Sequence, residues 1–362
     1  MRRALLLLAL VAAACSWGRD WDDTRYLCPD GTCPAGQECR AGRCEPVGGD
    51  GAPPWWNQDY TLRRPLLIDN LAAEPLPAGM AIPWVTDLDA LVGLNHQDLE
   101  VVRWTGAEWV PLSSFSDGQP DTEETVWFEL DEALAVDRRD SRHWVYYGYV
   151  DSPAPPSMDE PDDFGFELWD SFDGAALDAA TWVPFGDVTV SAAGAALGPG
   201  AQLRTVATWP PDYAVDVKLN LAPPISDSFQ VGFQHPDDDT EVDEPMALWS
   251  YDGDPGGAMN AEFWMSSTGE PRWSMPDVLL PGDDAEHTFT VVRVTDGASY
   301  WHENELRFRY QLPDGAVPNS DPIHVRVVNA GSAPLTVERI RVRPAIEPPP
   351  AVTLGDEESL AN

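Results

Sequence analysis

The stretch DYAVDVKLNLA, residues 212–222, decides the fold class. Tyr213, Val215, Val217, Leu219 and Leu221 take one face of an extended chain, and Asp216, Lys218 and Asn220 take the other. Side chains alternate between the two faces of a strand, so apolar residues at every second position mark a half-buried strand. SFQVGFQ (228–234) repeats the pattern, with Phe229, Val231 and Phe233 inward and Gln230 and Gln234 outward. ELRFRYQL (305–312) is read with Leu306, Phe308 and Tyr310 inward and Arg307 and Arg309 outward.

Upstream the same period holds. Tyr60, Leu62, Arg64, Leu66 and Ile68 alternate, as do Val126, Phe128 and Leu130, and Val145, Tyr147 and Tyr149. LEVVRW, a Gly-containing turn and WVPLSS read as a hairpin with Trp104 and Trp109 at its mouth. No long 3.6-residue period appears between residues 55 and 151. The expected fold is all-β: two antiparallel, jelly-roll-like β-sandwich domains in tandem, preceded by a small disulfide-stapled module. A length of 362 residues also favours two main domains.

Charge narrows the function. There are 61 acidic and 22 basic residues, a net charge of −39, and a single lysine, Lys218. So negative a chain repels nucleic acid and anionic headgroups, and no nucleic-acid partner is expected.

The N-terminus, MRRALLLLALVAAAC, has a positive start at Arg2 and Arg3 and an apolar run, Ala4 to Ala14, too short to span a bilayer. It resembles a bacterial lipoprotein signal (1–14) that ends at the cysteine to be acylated, Cys15, with Ala12 where leucine is usual. That resemblance implies palmitate-type acylation and a membrane partner through the lipid. Ser16 after the cysteine, in place of an aspartate, favours the outer membrane or cell surface. Five cysteines leave Cys15 over once the other four pair.

Residues 15–47 hold the lipidated N-terminus and CPDGTCPAGQECRAGRC (28–44). Cys28, Cys33, Cys39 and Cys44 are separated by turn residues. Such a segment buries no core, so two disulfides are expected in an exported protein. Four cysteines allow three pairings, and the resemblance to small EGF-like and knottin-like modules implies Cys28–Cys39 and Cys33–Cys44.

WWNQDYTLRRPLLIDN (55–70), LPAGMAIPW (76–84), the DLEVVRW/EWVPL hairpin, ETVWFEL (124–130) and HWVYYGYVDSPAPPS (143–157) together resemble the bacterial domain of unknown function 2341 family. That family implies an exported sandwich over 55–151 and no catalytic residues. A Pro- and acid-rich linker follows at 152–163. FELWDSFDGAALDAATW (166–182) and the closing LTVERIRVRP (335–344) resemble concanavalin A-like lectin/glucanase jelly rolls, here 164–345, which leaves 346–362 as a flexible tail.

Glucanases of that class carry Glu-x-Asp-x-(x)-Glu on one strand. TEVDEPM (240–246) supplies Glu241 and Asp243 but has Pro245 and Met246 where the second glutamate belongs. A retaining glycosidase needs two carboxylates about 5 Å apart, so no catalytic residues are expected. The chain has no Gly-x-Ser-x-Gly or His-Glu-x-x-His motif, and its six histidines are scattered.

The expected function is non-catalytic binding of a carbohydrate or envelope/extracellular polymer at the bacterial surface. The alternatives are a divergent glycoside hydrolase and a purely structural adhesion protein. Candidate ligand-binding residues are Trp249, Tyr251, Trp264 and Trp273, because sugar C–H faces pack on aromatic rings; the opposing reading places them in the core. No cofactor is expected, although Asp237, Asp239, Asp252 and Asp254 are oxygen donors of the type calcium takes in a loop.

Overall fold

The computed structural model describes residues 53–86, 99–116, 124–149, 164–221, 228–235, 246–251, 261–262, 286–312 and 320–360, and the backbone of 37–40, 43–46, 258–260, 263–264 and 273–279. The chain divides into two compact units, residues 1–58 with 103–110, and residues 59–102 with 111–362.

In the first unit, Gln37–Arg40 and Arg43–Pro46 pair antiparallel, with Cys39 directly opposite Cys44. Cys15, Cys28 and Cys33 lie outside the described residues. The hairpin tip brings the Trp104 and Trp109 rings to 5.1 Å, and Trp109 Nε1 donates to the Pro54 carbonyl at 2.9 Å.

The second unit holds both sandwiches. The strand Tyr213–Asn220 lies in an eight-stranded antiparallel sheet, between Leu335–Pro344 and Glu286–Val294. Gly297–His302 and Glu305–Gln311 continue that sheet to one edge. A seven-stranded sheet runs Trp182–Phe185, Gln202–Thr205, His324–Asn329, Phe229–Gln234, Met246–Tyr251, Ala258–Trp264 and Trp273–Leu279. The core lies between the two sheets: Val215, Val217 and Leu219 meet Phe229, Val231, Phe233 and Trp249. Full burial of each such side chain contributes about 1.5–3 kcal/mol, which is why the alternation in 212–222 is so regular.

The alternation fails where a second layer covers the sheet. Asp216 points away from the core, yet it is 4% exposed, because Arg341 and the Trp127 ring of the first sandwich lie over it. Trp127 in turn packs in an aromatic cluster with Phe115, Phe164 and Phe166. For the same reason Glu124–Glu129 and Arg139–Tyr149 bury residues on both faces. The reading of Leu306 as a core residue is corrected: it is 44% exposed. Glu305–Gln311 is an edge strand, with a register shift at Tyr300/Trp301.

The first sandwich pairs Tyr60–Asp69 with Arg139–Tyr149, and packs a three-stranded sheet of Ala81–Thr86, Glu124–Glu129 and Ser114–Ser116. Its outer strands come from the far end of the chain. Ala351–Leu354 and Glu358–Ser359 pair with Tyr60–Asp69, and Gly355 N donates to the Pro65 carbonyl. The flexible tail expected at 346–362 is therefore corrected. The strand Tyr60–Asp69 needs a partner for its outer backbone groups, and the segment from 351 supplies it.

Candidate functional site

The outer face of the seven-stranded sheet is built by strand parity. Trp182, Leu203, Val325, Val327, Phe229 and Phe233 point into the core. Their neighbours Phe185, Gln202, Arg204, His324, Arg326, Gln230 and Gln234 therefore share the opposite face. Cross-strand register sets them side by side: Phe185 opposite Gln202, Arg204 opposite Arg326, and Gln234 opposite His324.

Arg326 organises the row. Its Nη1 donates to Gln234 Oε1 at 2.7 Å and its Nη2 donates to Gln202 Oε1. With both oxygens committed, each amide turns its NH₂ group the other way as a donor. His324 Nδ1 lies 2.7 Å from the Thr205 carbonyl and 3.1 Å from that of Ala207. Facing two acceptors, Nδ1 carries the hydrogen, and Nε2 is left as an acceptor. Burial lowers the His324 pKa, so the ring is neutral near pH 7. At the edge, Phe185 is 39% exposed and the Arg204 guanidinium lies 5.1 Å from its ring centre.

Beyond Gly232 the face closes. Leu248 and Ser250 are 1% exposed and Glu262 is 6% exposed. Ser250 Oγ donates to Glu262 Oε1 at 2.6 Å. Gly232 itself has φ +143, and a Cβ there would meet the Ala247 carbonyl at 2.3 Å. The open half thus offers amide donors, an imidazole acceptor and a flat Phe–Arg surface. Among the described residues of this face Glu262 is the one carboxylate.

A cavity of about 290 Å³ lies against the eight-stranded sheet, with Trp127, Trp301, Asn304, Arg343, Glu347 and Asp216 in its lining. It sits at the small end of ligand pockets. Its Asp216 carboxylate is already taken by Arg341 and Arg343.

No protein-family model matches this chain, and no curated protein does. Solved structures do. The chain is similar to one of the endo-acting O-glycanases that human gut microbiota express to initiate mucin breakdown, at 16% identity over 49% of this chain and 99% of that one, with a TM-score of 0.40. It is similar to an immunostimulatory antigen and pseudo β-1,3-glucanase of Mycobacterium tuberculosis, at 13% identity over 50% and 99%, with a TM-score of 0.39. A family 16 glycosyl hydrolase protein of Mycobacterium smegmatis matches at 14% identity over 49% and 99%, also with a TM-score of 0.39.

Of the candidate binding aromatics, Trp249 and Tyr251 lie in the core. Trp249 is wholly buried and its Nε1 donates to the Thr290 and Trp301 carbonyls. Tyr251 is 4% exposed against Phe229. Both share one face, as their spacing requires, but that face is the core, so neither offers a ring to a ligand. The side chains of Trp264 and Trp273 lie outside the described residues, as do Asp237, Asp239, Asp252, Asp254, Glu241 and Asp243. Gln202, Gln234 and Arg326 were missed because single polar residues on a strand carry no motif. Their signal was the outward alternation itself, already visible for Gln230 and Gln234.

Proposed function

We propose that this protein is a non-catalytic recognition protein, anchored to the bacterial envelope through an acylated Cys15, that binds carbohydrate on the open half of its seven-stranded sheet. The observation that carries the reading is the Arg326 brace. It holds two glutamines with their amide donors free, beside an imidazole acceptor and an exposed aromatic ring. Sugars need this mixture: planar polar groups for hydroxyls and an apolar surface for C–H faces. A buried Glu262 tied to Ser250 favours holding over cutting.

The test is a glycan array on the purified protein, repeated with Gln202→Ala/Gln234→Ala. The wild type binds a polymer class and the double variant loses at least tenfold in affinity while keeping its fold. Equal binding by both removes this face from the function.

A further inference from the structure

We propose that His287, His302 and Glu303 form a binding site for a zinc-class divalent cation, at the rim of the jelly roll and separate from the sheet face above. The proposal does not rest on the carbohydrate reading.

The hairpin builds the cluster. Glu286–Val294 and Gly297–His302 pair with Phe289 opposite His302, so His287 lies diagonally across from His302 on the same side. His302 stacks on the Phe289 ring, with centroids 5.0 Å apart and planes at 20°. Glu303 and Asn304 then form the two-residue turn to Glu305–Gln311, both with positive φ, 48° and 60°. Such turns favour glycine, asparagine or aspartate. Glutamate is out of place there for backbone reasons. Its side chain is fastened by the Thr288 N–H, which donates to Oε1 at 2.9 Å.

Three ligand atoms meet. His302 Nε2 is 3.2 Å from His287 Nδ1, His287 Nδ1 is 3.3 Å from Glu303 Oε1, and His302 Nε2 is 3.7 Å from the same oxygen. A triangle with those sides has its corners about 2.0 Å from a common centre, the length of zinc–nitrogen and zinc–oxygen bonds. Two imidazoles and one carboxylate are a donor set that zinc takes with its fourth position open. The histidine side chains are 3% and 2% exposed, while Glu303 is 46% exposed, so the cluster opens to solvent on the Glu303 side.

The far nitrogens, His287 Nε2 and His302 Nδ1, are buried with no hydrogen-bond partner. A cation accepts both inner lone pairs at once, and both ring hydrogens then sit on those outer nitrogens. The missing outer partners also mean that the two imidazoles are held by ring packing alone, which makes for a weaker, exchangeable ion.

The experiment uses the full-length protein, stripped by a chelator and dialysed, then titrated with zinc chloride by calorimetry and with cobalt(II) chloride by visible absorption. The expected result is one exchangeable zinc per chain and tetrahedral cobalt bands with no thiolate charge-transfer band. His302→Phe keeps a ring stacked on Phe289 and removes a ligand, and Glu303→Asn keeps a residue suited to the left-handed turn. Each variant should fold and lose at least tenfold in zinc affinity. Absence of zinc binding by the wild type, or unchanged affinity in both folded variants, overturns the proposal.

Discussion

Arg341 Nε donates to Asp216 Oδ2 at 2.7 Å, with the two side chains 3% and 5% exposed. Arg343 Nε reaches the same oxygen at 3.2 Å, and Thr290 Oγ1 donates to the other at 2.5 Å. Above them, the Trp127 ring receives both guanidinium groups, at 4.3 and 5.0 Å. The first sandwich is thereby seated on charged residues of the second.

This cluster is acid-sensitive. Burial by itself raises the Asp216 carboxyl; the charges of Arg343 and Arg341 and the Thr290 hydroxyl overcome it and hold the carboxyl well below the ordinary range. The folded value lies below the unfolded one of about 3.9. Its contribution to stability is therefore complete above that value and is lost as pH falls through the folded value. Asp216→Asn removes the carboxylate that Arg341 and Arg343 share and should cost about 3–5 kcal/mol near pH 7. Urea denaturation at pH 7 and pH 3 checks both: the variant's deficit should shrink at the lower pH.

Gly232 should not tolerate a side chain. A Cβ there lies 2.3 Å from the Ala247 carbonyl and 3.0 Å from the Leu248 Cα, at a φ that other residues avoid. Backbone strain alone is about 1–3 kcal/mol, so Gly232→Ala should lower the denaturation midpoint by a corresponding amount. A midpoint equal to the wild type's would contradict the register of Phe229–Gln234 on Met246–Tyr251.

Ending the chain at Pro350 should weaken the first sandwich specifically. It removes Ala351–Leu354 and Glu358–Ser359 from the edge of Tyr60–Asp69, together with the ion pair Arg63–Glu358 at 2.7 Å. Hydrogen exchange is expected to speed up across residues 60–69 while Tyr213–Asn220 stays protected.

The acidic segment TEVDEPM (240–246) should not be catalytic. Reducing-sugar release from β-glucans, xylan, agarose and chitin should stay at background for the wild type and for Glu241→Gln/Asp243→Asn alike. Turnover that vanishes in the double variant would restore the hydrolase reading.

Cys15→Ser should free the protein from the membrane fraction. A variant that still pellets in detergent-free buffer would sink the lipid anchor.

Strand period made the jelly roll legible in the sequence, because the Val215–Leu221 and Phe229–Phe233 faces each bury against one core. It misled where a second layer covers the sheet. Nothing in the local pattern marks Asp216 as buried, since its cover, Trp127, is 89 residues away in sequence. Trp249 illustrates the converse: an aromatic residue on an alternating strand reads equally as core or as ligand platform, and only the opposing sheet decides. The histidine cluster was within reach. The Thr295–Asp296 turn before Gly297 mirrors the hairpin so that Phe289 meets His302, which places His287 one diagonal away. The six histidines looked scattered because their spacing was judged along the chain rather than across that turn.

The return of Ala351–Leu354 to Tyr60–Asp69 also sets a schedule. During synthesis the first sandwich emerges with its outer strand bare, and the residues that cover it appear only after the whole jelly roll has been made. At ordinary elongation rates the delay is on the order of tens of seconds. An exposed strand edge held that long invites pairing with a neighbouring nascent chain. A cell making this protein must therefore keep it apart from its own copies, or unfolded, until the last strand arrives.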